Sequence, residues 1–292
     1  MNHASVFPCS GCGNCNFCAD RAVTEGILPP CTHEAARKAG AQISVVFPGT
    51  EVLPNEAAMS RRCAELIRDC LKQKPDALLC LPAGNTAIGT YQEMVRMVND
   101  GELDVSQARF VSLDDWVGLS ADAREDDCTH FMMRHCYGPL NIPADHMTLF
   151  DTCSEDLEAE CRKIDQVIFD NGGIDFMLLG LGMNGHLGLN EPGADFHNYS
   201  HVMGLSDVTK SVGQKYFSQQ AALSGGITVG IQHMFEAKQV VLQISGKHKQ
   251  DIVRRMYTTG VTTDLPGSVF QVLPNSSVIM DAEAAAKIQD LL

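Results

Sequence analysis

A glycine-rich segment at the end of an apolar run constrains the fold of this chain more than any other feature. The run extends from Ile174 to Leu181, and further glycines follow at positions 182, 185 and 188. A short apolar run that breaks into glycines is typical of a buried strand ending in a tight loop. Glycines also let the backbone of such a loop approach a ligand closely. The segment therefore predicts an interior strand followed by a loop that can line a binding site.

Two titratable side chains lie in this loop, His186 and, five residues later, Glu191. Histidine is the side chain most easily poised for proton transfer near neutral pH. A carboxylate within reach of the ring would fix its tautomer and raise its basicity. The pattern is compatible with a solvated surface loop, the usual place of a lone histidine, or with a site of proton transfer, and the surrounding glycines leave the two alternatives evenly balanced.

Short apolar runs alternate with helical patterns along most of the chain. Asn55, directly after Pro54, predicts the start of a helix because asparagine is a preferred N-cap. Predicted strands occupy residues 42–47, 77–81, 109–113, 174–181, 240–245 and 277–280, with another apolar segment at 227–231. This alternation predicts an α/β fold, Rossmann-like and doubly wound, with a mostly parallel sheet covered by helices on both faces. We expect one domain over residues 41–292.

Two other strand ends carry candidate ligand-binding groups. Gly84, Asn85 and Thr86 follow a predicted strand and lead into a helix, an arrangement that can offer free backbone N–H groups to a phosphate. An ordinary strand-to-helix turn would look the same. Asp114 and Asp115 follow the next strand, and carboxylates there point into the ligand crevice of a parallel sheet or cap a helix.

Composition excludes some classes of partner. The formal net charge of −14 argues against nucleic acid, which binds basic surfaces. The longest apolar runs are far shorter than the roughly 18 residues that a membrane helix needs. The N-terminus shows no basic segment followed by an apolar one, so we expect a cytoplasmic protein.

The first forty residues differ from the rest and form a separate cysteine-rich extension, residues 1–40. Cysteine recurs at every third position and again farther on, at Cys9, Cys12, Cys15, Cys18 and Cys31. Each C-x-x-C step can direct two sulfurs to one metal ion, so the extension predicts a zinc site or an iron–sulfur cluster. A flexible tail whose thiols have no structural role is the alternative.

Four ordered motifs give the chain a family resemblance. They begin at Leu81, Leu113, Gly180 and Ile244, with the sequences LPAGNT, LDDWVGL, GLGMNGHLGLNEPG and ISGKHK. Residues 41–292 thereby resemble the glucosamine-6-phosphate deaminase/isomerase family. The related 6-phosphogluconolactonases share its fold, but the Asn-Glu-Pro step at residues 190–192 favours the deaminase branch.

The resemblance implies a catalytic domain and an enzyme, a hydrolase/isomerase that converts glucosamine 6-phosphate and water into fructose 6-phosphate and ammonia. It implies catalytic roles for Asp114, Asn184, His186 and Glu191. It implies phosphate binding by Gly84, Asn85, Thr86, Lys210 and Lys249. Lys210 stands where many members have an arginine, and lysine keeps the charge but not the bidentate geometry.

The resemblance also implies a small-molecule amino sugar phosphate as the partner, a homo-oligomer, and no cofactor for catalysis. Galactosamine 6-phosphate is the alternative substrate, since Asn85 replaces a glycine usual in that turn. A lactonase and a non-catalytic sugar-phosphate sensor are the alternatives of other classes.

Overall fold

A computed structural model describes residues 49–218 and 220–292 of the chain. The predicted strand at 42–47 and the cysteine-rich extension lie outside these residues, so the metal ligands predicted at Cys9, Cys12, Cys15, Cys18 and Cys31 are not described. The strands, in chain order, are β1 (Thr50–Leu53), β2 (Leu78–Leu81), β3 (Arg109–Ser112), β4 (Asp114–Val117), β5 (Met147–Thr148), β6 (Phe176–Gly180), β7 (His201–Met203), β8 (Gly225–Thr228), β9 (Val240–Ile244) and β10 (Ser276–Asp281). The α-helices are α1 (Glu56–Gln73), α2 (Asn85–Asn99), α3 (Cys128–Met132), α4 (Leu157–Asp170), α5 (Asp207–Gly213), α6 (Ile231–Glu236) and α7 (Gln250–Thr258).

Seven strands form a parallel sheet in the order β1-β10-β9-β6-β2-β3-β5. All residues of β2 and β9 are buried, as expected for strands covered on both faces. One face packs on α1 and α2 through residues such as Met59 and Met94, and the other packs on α4 and α7 through residues such as Ile164 and Met256. The predicted fold class is confirmed.

A second, three-stranded antiparallel sheet was not predicted. Its order is β4-β8-β7, and Asp114 begins its first strand immediately after β3 ends. The apolar segment predicted at 227–231 contributes Ile227 and Thr228 to β8, and α6 starts at Ile231. These strands are short and β8 opens with two glycines, so their sequences lack the alternation that marks an antiparallel strand.

Helix caps explain how two helix starts differ. The side chain of Asn55 accepts the Ala58 N–H at 2.9 Å, which confirms the predicted start of α1. α2 begins after Gly84, which has no side chain to cap it. The first N–H groups of α2 therefore have no capping side chain of their own and can face a ligand, although the Tyr216 hydroxyl accepts from the backbone of Asn85.

Among the helices of the described chain, none combines the length and the apolar character needed to cross a bilayer.

Candidate active site

A large cavity opens at the carboxyl edge of the parallel sheet. Its volume is about 700 Å³, within the usual range for small-molecule sites. Residues that follow four of the parallel strands line it: Gly84 after β2, Asp114 after β3, Gly182 after β6 and Ser245 after β9. The ends of parallel strands meet at one edge, which is where open α/β sheets bind ligands.

His186 lies on the wall of this cavity and is held from behind by Glu191. The His186 Nδ1 atom is 3.3 Å from Oε1 of Glu191 and 3.1 Å from the Thr209 hydroxyl. Asn184 donates from Nδ2 to the other oxygen of Glu191 at 2.8 Å. Because Nδ1 is engaged by these partners, Nε2 is the nitrogen left for a ligand.

Glu191 remains ionised throughout the physiological range. Its side chain is 2% exposed, and burial by itself would raise the pKa. Hydrogen bonds from His186 and from two hydroxyl groups outweigh burial and lower the pKa of Glu191 to about 2. A permanent carboxylate beside Nδ1 would stabilise the imidazolium that forms whenever Nε2 takes a proton.

Two glycines make room for the catalytic groups. A Cβ added at Gly182 would lie 2.5 Å from three ring atoms of His186, so any side chain there would displace the imidazole. Gly188 has φ +58°, and its added Cβ would lie 2.8 Å from Thr228 Oγ1 and 3.4 Å from Asp114 Oδ2. The loop that carries His186 therefore passes directly against Asp114.

Asp114 lines the same cavity and is a carboxyl that can take a proton near neutral pH. Burial and the adjacent charge of Asp115 raise the pKa of Asp114 to about 7, and a hydrogen bond from the Cys128 thiol opposes the rise. A general base is most effective when its pKa lies near the working pH. The structure thus brings Asp114 and His186 to one cavity.

Asp114 and Asp115 were each expected either to face the ligand crevice or to cap a helix, and Asp115 binds the start of a helix. Its carboxylate is 1% exposed and accepts N–H groups of Cys128 and Thr129 at 3.0 and 3.1 Å, at the start of α3. Burial, followed by the charge of Asp127, raises the pKa of Asp115. Asp114 faces the ligand space, while Asp115 fixes the segment that follows it.

The opposite end of the cavity suits a phosphate. Gly84, Asn85 and Thr86 line it, as predicted, at the open N-terminus of α2. Lys249 lines it as well and donates from Nζ to the carbonyl of Leu181. Burial lowers the pKa of Lys249 to about 8, so a dianion nearby would favour its charged form.

The position of Lys210 differs from the prediction. Lys210 lies on α5, whereas the cation of this segment that lines the cavity is Lys215, after the end of that helix. Lys215 comes five residues after Lys210 and beyond the end of α5, and the sequence alone does not show which of the two lysines faces the cavity. Lys215 is the better candidate for phosphate binding.

Sequence reasoning missed the hydroxyl groups around Glu191. Ser206 and Thr209 both accept hydrogen bonds from Asn184 Nδ2, at 3.0 and 3.3 Å. Ser206 could have been identified as the N-cap of α5, since its side chain accepts the Thr209 N–H at 3.2 Å. Glu191 lies fifteen residues before Ser206, and nothing in the sequence around either residue indicates that the two side chains are close.

No group of three or more potential metal-ligating side chains occurs in the part of the chain that the structure describes. The cavity groups are donors and proton-transfer residues, and they suit chemistry carried out by side chains. The predicted zinc or iron–sulfur site concerns the extension alone.

Comparisons with known proteins agree with this geometry. The profile of the family described as glucosamine-6-phosphate isomerases/6-phosphogluconolactonase matches residues 55–279. A glucosamine-6-phosphate deaminase of Thermoanaerobacter pseudethanolicus is 34% identical over 237 residues, which cover 81% of this chain and 93% of that protein. One of Clostridium perfringens is 34% identical over 235 residues, covering 80% and 97%.

Solved structures show the same fold. A structure described as a monomeric glucosamine-6-phosphate deaminase superposes with a TM-score of 0.77 at 31% identity, covering 82% of this chain and 99% of that one. The 6-phosphogluconolactonase of Leishmania guyanensis gives a TM-score of 0.59 at 19% identity, covering 82% and 97%. At that identity the second likeness is one of fold alone.

Proposed function

The chain belongs to the glucosamine-6-phosphate isomerase/6-phosphogluconolactonase family, and we propose that it deaminates and isomerises glucosamine 6-phosphate to fructose 6-phosphate and ammonia. The observation that carries this proposal is one cavity lined by Asp114, by His186 backed with Glu191, and by the open N-terminus of α2. A lactonase would need no base beside a carbon-bound proton, and a sensor would need no proton-transfer groups.

The phosphate anchors the substrate at the α2 end of the cavity. Backbone N–H groups at Asn85 and Thr86 meet its oxygens, and the helix dipole favours its charge. Lys249 and Lys215 supply positive charge. This anchoring fixes the distance from the phosphate to the reacting carbons and directs them toward Asp114.

Ring opening precedes the isomerisation. His186 Nε2 takes the proton of the anomeric hydroxyl and returns a proton to the ring oxygen, which breaks the C1–O5 bond. Glu191 holds Nδ1 and stabilises the transient imidazolium. Asn184 donates to Glu191 and keeps that carboxylate oriented, so Asn184 acts as a positioning residue.

Asp114 then moves a proton between two carbons. It removes the proton from C2 of the open aldose, and the electrons form a C1–C2 double bond as the C1 carbonyl becomes an enol. Return of the proton to C1 leaves an imine at C2. Water adds to C2 and ammonia departs, which gives fructose 6-phosphate. Asp114 carries the proton between the carbons and His186 carries the proton of ring opening. The protons gained by the C1 oxygen and by the departing nitrogen are exchanged with water, and no cofactor takes part in the scheme.

The test measures ammonia and fructose 6-phosphate from glucosamine 6-phosphate, galactosamine 6-phosphate and 6-phosphogluconolactone. The proposal predicts equal amounts of the two products from the first substrate. Faster turnover of the galactosamine epimer would reassign the substrate, and hydrolysis of the lactone alone would overturn the proposal. Tight binding of the amino sugar phosphate without turnover would indicate a sensor.

The oligomeric state is a separate proposal. The family resemblance favours a homo-oligomer, although the solved relative at 31% identity is described as monomeric. Light scattering of the full chain decides between the two, because a dimer has twice the 31.7 kDa mass of one chain.

A further inference from the structure

A buried glutamine lies in the cavity wall, in an otherwise apolar strand. Gln243 interrupts the sequence VVLQI of β9, is 1% exposed and lines the cavity. β9 pairs on both sides, with β10 and β6, so its backbone groups are engaged by the sheet. A polar side chain at such a position needs partners of its own, because an unpaired buried amide lowers stability.

One end of the Gln243 side chain is paired and the other is open. The Thr90 hydroxyl, on the buried side of α2, donates to Oε1 at 2.9 Å. This bond orients the amide and turns Nε2 away from Thr90. Nε2 is buried and has no hydrogen-bond partner among the described residues. An apolar side chain of the same length would avoid the free-energy cost of burying an unpaired amide. The unpaired N–H groups of Gln243 therefore indicate that a ligand binds here.

The surroundings of Gln243 belong to the phosphate end of the cavity. Thr90 ties it to α2, whose first turn carries Asn85 and Thr86. Ser245, two residues further along the chain, lines the cavity and precedes the turn that leads to Lys249. Gln243 thus lines the same cavity as the first turn of α2 and the buried Lys249.

We propose that Gln243 is a substrate-binding residue whose Nε2 donates a hydrogen bond to a phosphate oxygen. This inference rests on the proposed function in so far as the substrate is a sugar phosphate. The lysines of the cavity provide charge and the backbone N–H groups provide donors, and the amide adds a further neutral, directional donor. A phosphate oxygen would satisfy the N–H groups that the protein leaves open.

The experiment measures the affinity of the full-length protein for inorganic phosphate by calorimetry, with Gln243→Met as the test variant. Methionine keeps the length and removes the donor. Gln92→Met, the same change on the exposed side of α2, is the control. We expect phosphate to bind Gln243→Met about tenfold or more weakly, as for loss of a hydrogen bond to a charged group. Because the buried Thr90 hydroxyl loses its acceptor as well, the melting temperature without ligand should fall by a few degrees, so phosphate affinity is the deciding readout.

Kinetics with glucosamine 6-phosphate provide a second readout. Because the phosphate is bound equally in the ground and transition states, KM should rise by a similar factor while kcat stays within about twofold. Gln243→Glu restores the acceptor for Thr90 but turns a second acceptor toward the phosphate, so its phosphate affinity should fall at least as far as that of the methionine variant.

Two results would overturn the inference. The first is a phosphate affinity of folded Gln243→Met that stays within about twofold of the wild-type value, which would make the residue structural. The second is a wild type that binds no phosphate at millimolar concentrations. Failure of the proposed function looks different: a protein that deaminates no amino sugar phosphate, yet loses phosphate affinity in Gln243→Met, would leave the role of Gln243 intact.

Discussion

Turnover should fall steeply just below neutral pH because the proposed base titrates there. Burial and the neighbouring charge of Asp115 raise the pKa of Asp114 to about 7. A base acts only when ionised, so the raised pKa creates an acid limb near pH 7 in kcat/KM of the free enzyme. The ionised fraction of such a group is about one half at pH 7, about 9% at pH 6 and about 1% at pH 5. We therefore expect kcat/KM to drop about tenfold for each unit below pH 6.5.

The assay follows ammonia release from glucosamine 6-phosphate between pH 5 and 9 at constant ionic strength. The substrate phosphate also titrates, with a second pKa of about 6, so the wild-type profile alone does not assign the limb. Asp115→Asn is the informative variant, because it removes the like charge beside Asp114 and leaves the substrate unchanged. Its acid limb should move to lower pH. Circular dichroism verifies that the protein stays folded after this change to the cap of α3.

Two results would refute this reasoning. An acid limb centred near pH 4, the ordinary range of aspartate, would mean that the enclosure of Asp114 does not raise its pKa in solution. A limb near pH 6 that stays in place in Asp115→Asn would belong to the substrate. In either case another group would have to be the base.

Three further changes give distinct expected outcomes. Glu191→Gln should lower kcat about 10²- to 10⁴-fold with little change in KM, measured by steady-state ammonia release, because it removes the carboxylate behind the imidazole. Lys249→Met and Lys215→Met should each raise KM about tenfold or more, while Lys210→Met should leave KM unchanged. Equal effects of Lys210→Met and Lys215→Met on KM would contradict the finding that Lys215, and not Lys210, lines the cavity. Asp175→Asn should lower the free energy of unfolding, measured in urea at pH 7, by about 1–3 kcal/mol. Asp175 accepts hydrogen bonds from two partly exposed lysines and from a backbone N–H, and these outweigh burial and hold its pKa at about 2. A carboxyl whose pKa is lowered by folding stabilises the folded state at pH values above its unfolded pKa of about 4. This stabilisation is lost as the pH falls toward 2, so the difference in unfolding free energy between the variant and the wild type should shrink at pH 3.

The parallel sheet was predictable because its physical cause is local. Strands buried on both faces are continuous apolar runs, and Leu78–Leu81 and Val240–Ile244 have that form. Helices between them follow from 3.6-residue spacing and from caps such as Asn55. The three-stranded antiparallel sheet was not predictable, since its strands are brief and β4 pairs with β8, more than a hundred residues away.

That Asp114 and His186 line one cavity was predictable for a related reason. His186 and Asp114 follow buried strands, and parallel strands end at one edge, so the pattern itself places them together. The positions of Thr209, on α5, and of Lys215, in the turn after it, depend on how this segment packs against the sheet. That packing is set across the whole core and leaves no trace in the local sequence.

The most direct measurement of the central claim compares Asp114→Asn with the wild type on glucosamine 6-phosphate. The account predicts that the variant binds the sugar phosphate with a dissociation constant within about threefold of the wild-type value, because the phosphate end of the cavity is untouched. Its rate of ammonia release should fall about 10²- to 10⁴-fold, as for loss of a general base. A variant that folds normally and retains more than a tenth of the wild-type rate would show that the proton moves through another group.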